Sequence, residues 1–216
     1  MLFKDRSEAG HLLADKLQKF KDQKDILVLG LARGGMVVAY EVATALSLPL
    51  NVVVPRKIGA PGNPELALGS IMEDGKGVFN QSLIRYLEVP DSYIQNEIKK
   101  EQAKAKQRLS IYRAKTPMPE IRDQTIILVD DGIATGSTMR GAIEVIKNLG
   151  AKQVIVAVPV SSSDAYHLIE EKADEVICLS VPEDFLGVGM FYQNFNQTQD
   201  EEVVQLLEKA NQNARI

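Results

Sequence analysis

Two adjacent carboxylates, Asp130 and Asp131, end the apolar run Ile126-Ile127-Leu128-Val129 and open into Gly132-Ile133-Ala134-Thr135-Gly136-Ser137-Thr138. The run reads as a buried strand, and the pattern from Ser137 to Leu149 as a helix closed by Gly150. A small-residue loop that leads into a helix leaves backbone N–H groups free to hold an anion. Gly136 lets the backbone come close to a phosphate, and Thr135, Ser137 and Thr138 add hydroxyl donors. The aspartates would repel that phosphate, so they must face something else. Sugar hydroxyls, met directly or around a divalent cation, suit acceptor-only groups. A ligand with a phosphate at one end and a diol nearby, such as a ribose 5-phosphate unit, satisfies both halves. Two rival phosphate motifs fail. Three residues, where a P-loop has four, separate Gly132 from Gly136, and Ser137 stands where the P-loop lysine would be. A Gly-x-Gly-x-x-Gly pattern follows no strand.

Other residues could serve the same ligand. Gly30-Leu31-Ala32-Arg33-Gly34-Gly35 follows the apolar run Ile26–Leu29 and precedes a helix over 36–46. Asn51–Val54 is another buried strand, followed by Pro55 and the cations Arg56 and Lys57. The stretch Ala60-Pro61-Gly62-Asn63-Pro64 reads as irregular, a turn or a mobile loop. Phe185-Leu186-Gly187-Val188-Gly189-Met190-Phe191-Tyr192 is an aromatic, glycine-broken segment. Cys178 lies in an apolar strand and reads as a core thiol, and His11 and His167 lie on helices with no nucleophile elbow, so a hydrolase triad has no support.

The elements that position these loops alternate. After Ser7 a helix is expected over 8–20. Strands are expected at 66–72, before a turn at 73–75, and at 154–160 and 176–179. Helices are expected at 91–112, 164–171 and 201–210. Continuous β-branched runs between helices mean a parallel sheet covered on both faces. In such sheets ligands bind beyond the carboxyl ends of the strands, where these loops lie. Residues 1–216 read as a single domain with a helical insertion at 74–120 and a C-terminal cap at 181–216.

Composition narrows the classes. The 216 residues are 45% apolar and 25% charged, enough to bury a core without staples. One cysteine excludes an intrachain disulfide, and two histidines are too few for a histidine-rich metal centre. A net charge of −4 argues against a nucleic-acid binder held by charge. No segment has the ~18–20 apolar residues of a membrane span, and the charged start lacks a signal-peptide core, so the expected place is the cytoplasm.

The run Ile127 to Thr138 resembles the phosphoribosyl pyrophosphate (PRPP) motif of type I phosphoribosyltransferases, and the resemblance covers about residues 25–195. It implies an α/β, type I phosphoribosyltransferase-like parallel sheet with helices on both faces and a helical or aromatic hood. It implies that Asp130 and Asp131 bind the ribose hydroxyls and that Ala134, Thr135, Gly136, Ser137 and Thr138 wrap the 5′-phosphate. Arg33, Gly34 and Gly35 would meet the pyrophosphate, with Arg33 a cation at the leaving group. Arg56 and Lys57 resemble the pair that, with a mobile loop, covers pyrophosphate in the adenine and orotate branches. Phe185, Phe191 and Tyr192 would be a base-stacking segment. Asp130, Asp131 and Lys57 would then be the catalytic residues.

The implied activity is transfer of phosphoribose to a nitrogenous base or related nucleophile, with release of pyrophosphate. Mg²⁺ would be the cofactor, held mainly by PRPP and indirectly by Asp130 and Asp131. Partners would be PRPP, a small nitrogenous acceptor and a second copy in a homodimer, with no nucleic acid or membrane. A PRPP-sensing module without transferase activity is the alternative. One departure stands out: 6-oxopurine enzymes carry an aspartate and a lysine where this chain has Ala134 and Ser137, which argues against hypoxanthine and guanine.

Overall fold

The computed structural model describes residues 1–73, 75–114 and 116–213. Five strands form a parallel sheet: β1 (Ile26–Leu31), β2 (Leu50–Val53), β6 (Thr125–Val129), β7 (Gln153–Val160) and β8 (Glu175–Ser180), in the order β2-β1-β6-β7-β8. The first four are buried along nearly their whole length, as their unbroken Val/Ile/Leu runs require. On one face lie α1 (Arg6–Lys16), α2 (Gly35–Leu46) and α7 (Asp200–Asn213), which share a core with the end of α4 (Asp91–Tyr112). On the other lie α5 (Ser137–Asn148) and α6 (Ser163–Glu170). No helix among the described residues is long and apolar enough to cross a membrane.

The chain leaves β1 toward β2 on one side and later enters β6 on the other. The strand order therefore reverses between β1 and β6, the place where open sheets leave a crevice. The register pairs Gly30 with Val129, so the loops that follow these strands emerge side by side.

Between β2 and β6 the chain differs from the expected helical insertion at 74–120. The excursion starts at residue 56 and is partly β. β3 (Arg56–Ala60), β4 (Asn63–Ile71) and β5 (Gly77–Phe79) form an antiparallel sheet, and α3 (Gln81–Tyr86) and α4 follow. Residues 60–64, expected to be irregular, are the end of a hairpin whose turn is Pro61-Gly62, with Gly62 in the left-handed region at φ 72°. The hairpin has apolar anchors: Ile58, Ala60, Leu68 and Ile71 pack with Ile84, Val89 and Ile94. It is a folded unit packed on α4, and its turn, Pro61-Gly62, is exposed. Of the expected turn at 73–75, Asp74 lies outside the described residues, as do Lys115 of the expected insertion and residues 214–216 of the expected cap.

The N-terminal segment pairs with the segment that precedes α7. Phe3 pairs with Tyr192, its amide donating to the Phe191 carbonyl at 2.8 Å while its own carbonyl accepts from Gln193 at 2.8 Å. The helix expected from residue 8 starts at Arg6, capped by Asp5, whose side chain accepts from the Glu8 amide at 3.0 Å.

Candidate functional site

The acid pair and the glycine loop touch. A Cβ on Gly34 would lie 2.0 Å from Asp131 Oδ2, and one on Gly35 would lie 2.7 Å from Asp130 Oδ1 and 2.8 Å from Asp130 Cα. Both glycines are therefore required by close approach: Gly34 itself has ordinary helical dihedrals. Asp130 turns Oδ1 onto the Asp131 amide at 2.8 Å. Burial, and then the neighbouring Asp131 charge, push the Asp130 carboxyl well above its ordinary range, while Arg6 pulls in the opposite direction.

Arg6 is a site residue that the sequence reading missed. Its Nε donates to Asp131 Oδ2 at 2.8 Å, its Nη1 donates to the Asn196 carbonyl at 2.7 Å, and its guanidinium lies 3.9 Å from the centre of the Phe195 ring. The start of α1 and the C-terminal tail thus close over Asp131 together. The helix-start signal is present in Asp5-x-x-Glu8, but nothing local in the sequence points at a partner 125 residues away.

The β6–α5 loop has the expected form. Gly136 sits in the left-handed region at φ 73° just ahead of α5, and Ala134, Thr135 and Thr138 are exposed. Among the described residues the amides of Thr135, Gly136, Ser137 and Thr138 donate to no acceptor, so this helix start has no cap. Ser162 Oγ holds the Ala134 carbonyl at 2.7 Å and steadies the loop from the β7 side.

Arg56 and Lys57 are split by the pleat. They are consecutive residues of β3, so they face opposite sides of the hairpin sheet. Arg56 faces α4, where Nε meets Glu101 Oε2 at 2.7 Å and Nη2 meets it at 2.5 Å. Lys57 lies opposite Ser70, and Ser70 packs against Gly141 of α5. Lys57 therefore shares the face turned toward the helix that carries the phosphate-type loop. The two residues expected to act as one pair thus point to different faces of the hairpin, Lys57 toward α5 and Arg56 toward α4. Burial works against the charge of Glu101, but hydrogen bonds from Lys104 and Arg56 outweigh it and hold this carboxyl below its usual range.

The aromatic segment divides as well. Phe185 and Phe191 stack at 5.6 Å with 17° between their planes, and both are partly exposed. Tyr192 is buried between Phe3 and Phe195, at 5.4 and 5.0 Å, and its hydroxyl donates to the Asp131 carbonyl at 2.6 Å. Burial raises its phenol above the ordinary range. Of the three rings expected to stack on a base, Tyr192 is buried with its hydroxyl on the backbone of the acid pair, and Phe185 and Phe191 are the two partly exposed ones. Cys178, expected to be a core thiol, is half-buried, and burial pushes it up to about 11.

Among the described residues no three His, Cys, Asp or Glu side chains converge as a metal cage. Two carboxylates, one of them already held by Arg6, suit a cation whose other ligands come from a bound substrate.

Comparison with known proteins bears on the family and the fold. The family model for the phosphoribosyl transferase domain matches residues 74–193. The crystal structure of TT1426 from Thermus thermophilus is 42% identical with a TM-score of 0.88, covering 97% of this chain and 99% of that one. A protein from Neisseria gonorrhoeae with bound ppGpp shares the fold at 15% identity and a TM-score of 0.50, over 97% of this chain and 94% of that one. A Mycobacterium tuberculosis relative, found in two strains, has a name that assigns it provisionally to the phosphoribosyl transferases. It is 41% identical over 97% of this chain, and this chain spans 47% of its length. With a five-stranded parallel sheet, an acid pair against a glycine loop and a family match over more than half its length, the chain belongs to the type I phosphoribosyl transferase family.

Proposed function

We propose that this domain transfers phosphoribose from PRPP to a small nitrogen nucleophile and releases pyrophosphate. The observation that carries the reading is the contact between the two loops: the missing Cβ of Gly34 lies 2.0 Å from Asp131 Oδ2. A ligand whose diol rests on the aspartates has its next group directly over the amides of the glycine loop. PRPP has that order of groups: 5′-phosphate, diol, diphosphate.

Each part of the site then has a task. The open amides of Thr135 to Thr138, with their hydroxyls, hold the 5′-phosphate at the start of α5. Asp130 and Asp131 accept from the ribose hydroxyls, and Arg6 and Tyr192 fix Asp131 from either side of its residue. The backbone of Arg33 to Gly35 receives the diphosphate, and Lys57 supplies a cation from the hairpin. As the anomeric bond stretches, the sugar gains oxocarbenium character and the departing diphosphate gains charge. Fixed amides and cations already in place stabilise that charge without reorganising. The chain forms no covalent link to the sugar. Mg²⁺ bound to PRPP would neutralise part of the diphosphate charge, with Asp130 and Asp131 reaching it through the ribose hydroxyls. Phe185 and Phe191 offer a stacked surface to a planar acceptor.

Ala134 and Ser137 favour a second reading, a PRPP-binding module without transfer, because neither can serve as a base toward the acceptor. One experiment separates the two: incubation with PRPP, Mg²⁺ and a panel of nitrogenous bases, with pyrophosphate release as the readout. Base-dependent release supports transfer. Stabilisation by PRPP without release with any base supports the binding module. No thermal shift at millimolar PRPP overturns both.

A further inference from the structure

We propose that the cavity between the start of α1 and the segment leading into α7 is a binding site for a small organic cation that carries a primary ammonium group. The cavity encloses about 300 Å³, at the lower end of the range for small-molecule sites. Its wall is polar: Asp5 and Glu202 bring carboxylates, Ser7 and Thr198 hydroxyls, and Asn194 and Asn196 side-chain amides. Val37 is its one apolar lining residue among the described residues. The wall contains no member of the acid pair, the glycine loop or the phosphate-type loop.

One side chain in that wall is not explained by the fold. Thr198 is 4% exposed, yet its hydroxyl makes no hydrogen bond among the described residues. It is not sealed inside packed side chains either, so the cavity it lines is what it faces. A buried hydroxyl without a partner lowers stability, and the group that satisfies it must enter the cavity. Helix capping accounts for part of the remaining wall: Asp5 Oδ1 accepts from the Glu8 amide at 3.0 Å. Capping leaves Asp5 Oδ2 and the whole Glu202 carboxylate with no hydrogen bond or ion pair among the described residues.

The charge left free in the wall is negative. Arg6 also lines the cavity, but its guanidinium is engaged: Nε donates to Asp131, Nη1 donates to the Asn196 carbonyl, and its face lies on Phe195. Asp5 and Glu202 remain, and carboxylates only accept. An ammonium group answers them with three donors, and a hydroxyl such as that of Thr198 can accept from it as well. A charged hydrogen bond is about twice as strong as a neutral one, so the cation is the part of the ligand that is read. A quaternary ammonium does not fit, because it is held by aromatic faces. No aromatic residue lines the cavity among the described residues, and Phe195 already has Arg6 over its ring. The same two acids repel an anion, so this is not another place for PRPP or pyrophosphate.

The test is equilibrium dialysis of the full chain with labelled putrescine, a four-carbon diamine, at low salt, comparing the parent with Glu202→Gln and Thr198→Val. Glu202 is exposed and valine has the shape of threonine, and a thermal melt checks that each variant is folded. The expected result is one putrescine per parent chain, bound roughly tenfold more weakly by Glu202→Gln and about fivefold more weakly by Thr198→Val. No saturable binding at millimolar putrescine overturns the proposal, and so does an affinity that neither variant changes. If Thr198→Val does not fold, Glu202→Gln decides. Two controls fix the ligand class. Butanediol has the same length and no charge, and binding as tight as that of putrescine would show that ammonium is not what is read. Displacement of putrescine by an equal concentration of Mg²⁺ would show a site for any cation. Either result overturns the proposal. PRPP is absent from the assay, so the outcome stands apart from the phosphoribosyl reading.

Discussion

Two charged clusters flank the glycine loop after β1, and they are built in different ways. The acid pair sits on short side chains at the end of a buried strand, pressed against Gly34 and Gly35 at distances where no Cβ fits. The other is a cationic cluster of long side chains on α4, β3 and the loop, held by ion pairs across partly open space. The first has its geometry set by backbone, so small volume changes should be costly. The second has its geometry set by side-chain rotamers, so its residues should be exchangeable one at a time with graded effects.

The sharpest way to break the comparison is to add one carbon to the first cluster. Gly34→Ala places a methyl 2.0 Å from Asp131 Oδ2 and 2.9 Å from Arg6 Nε, so the acid pair or the loop must move. Overpacking of this kind costs roughly 1–3 kcal/mol in stability. A displaced reacting group costs on the order of 100-fold in rate, so PRPP-dependent pyrophosphate release should fall by at least that much. A variant that turns over like the parent would mean that this contact does not matter to the ligand.

The next effect separates the residues split by the pleat. Arg56→Ala leaves Glu101, 7% exposed, with Lys104 as its remaining partner. An under-satisfied buried charge of this type costs about 1–3 kcal/mol, which chemical denaturation would read as a lower midpoint. Lys57→Ala should instead lower kcat more than it weakens binding of ribose 5-phosphate. If both variants change the same quantity, the two cations act as a pair after all.

Asp131→Asn should do less to stability but more than nothing. Its carboxylate holds Arg6 at 2.8 Å, with both side chains mostly covered, Arg6 at 11% and Asp131 at 15% exposed. An amide keeps the acceptor and loses the charge, a cost of about 1 kcal/mol that a thermal melt of the unliganded protein can register. An unchanged melting temperature would make Asp131 purely a ligand residue, as the sequence alone implies.

How much of this was legible in the sequence follows from how local each feature is. β6, α4 and the turn into α5 are set by runs of neighbours: Thr125–Val129, the stripe Ile94-Ile98-Ala105-Leu109-Tyr112, and the loop Gly132–Thr138. The hairpin was hidden by its own punctuation. Pro61 and Pro64 read as strand breakers, yet Pro61 lies in the turn, and Pro64 lies where β4 has no β5 partner and the β3 ladder slips beside Gly59. The short α3 had a cap signal in Asn80, whose side chain accepts from the Leu83 amide at 2.9 Å. Arg6, Tyr192 and the cationic cluster on α4 depend on contacts between distant segments, and side-chain identity alone does not encode those.

The smallest effect is the most specific to the way the first cluster is built. Asp130 pays for its place at the crevice because burial, and then Asp131, oppose its ionised form. Its pKa is raised in the folded chain, so the unfolded chain ionises at lower pH, near the ordinary value of about 4. Below that value both states carry the proton and folding suffers no penalty. As pH rises through the folded-state pKa, stability is lost, and the loss is complete above it. Asp130→Asn removes the titration while keeping a similar shape, so the unliganded variant should melt above the parent at neutral pH. The advantage should shrink as the pH is lowered toward about 4 and vanish below it, where the parent's Asp130 is protonated in both states. The same variant should bind PRPP more weakly, because an amide cannot accept from the diol with both oxygens. Gaining stability while losing ligand affinity is what a site held in a costly charge state produces. A melting temperature that falls at neutral pH, or an advantage that does not depend on pH, would show that Asp130 is stabilised where it stands.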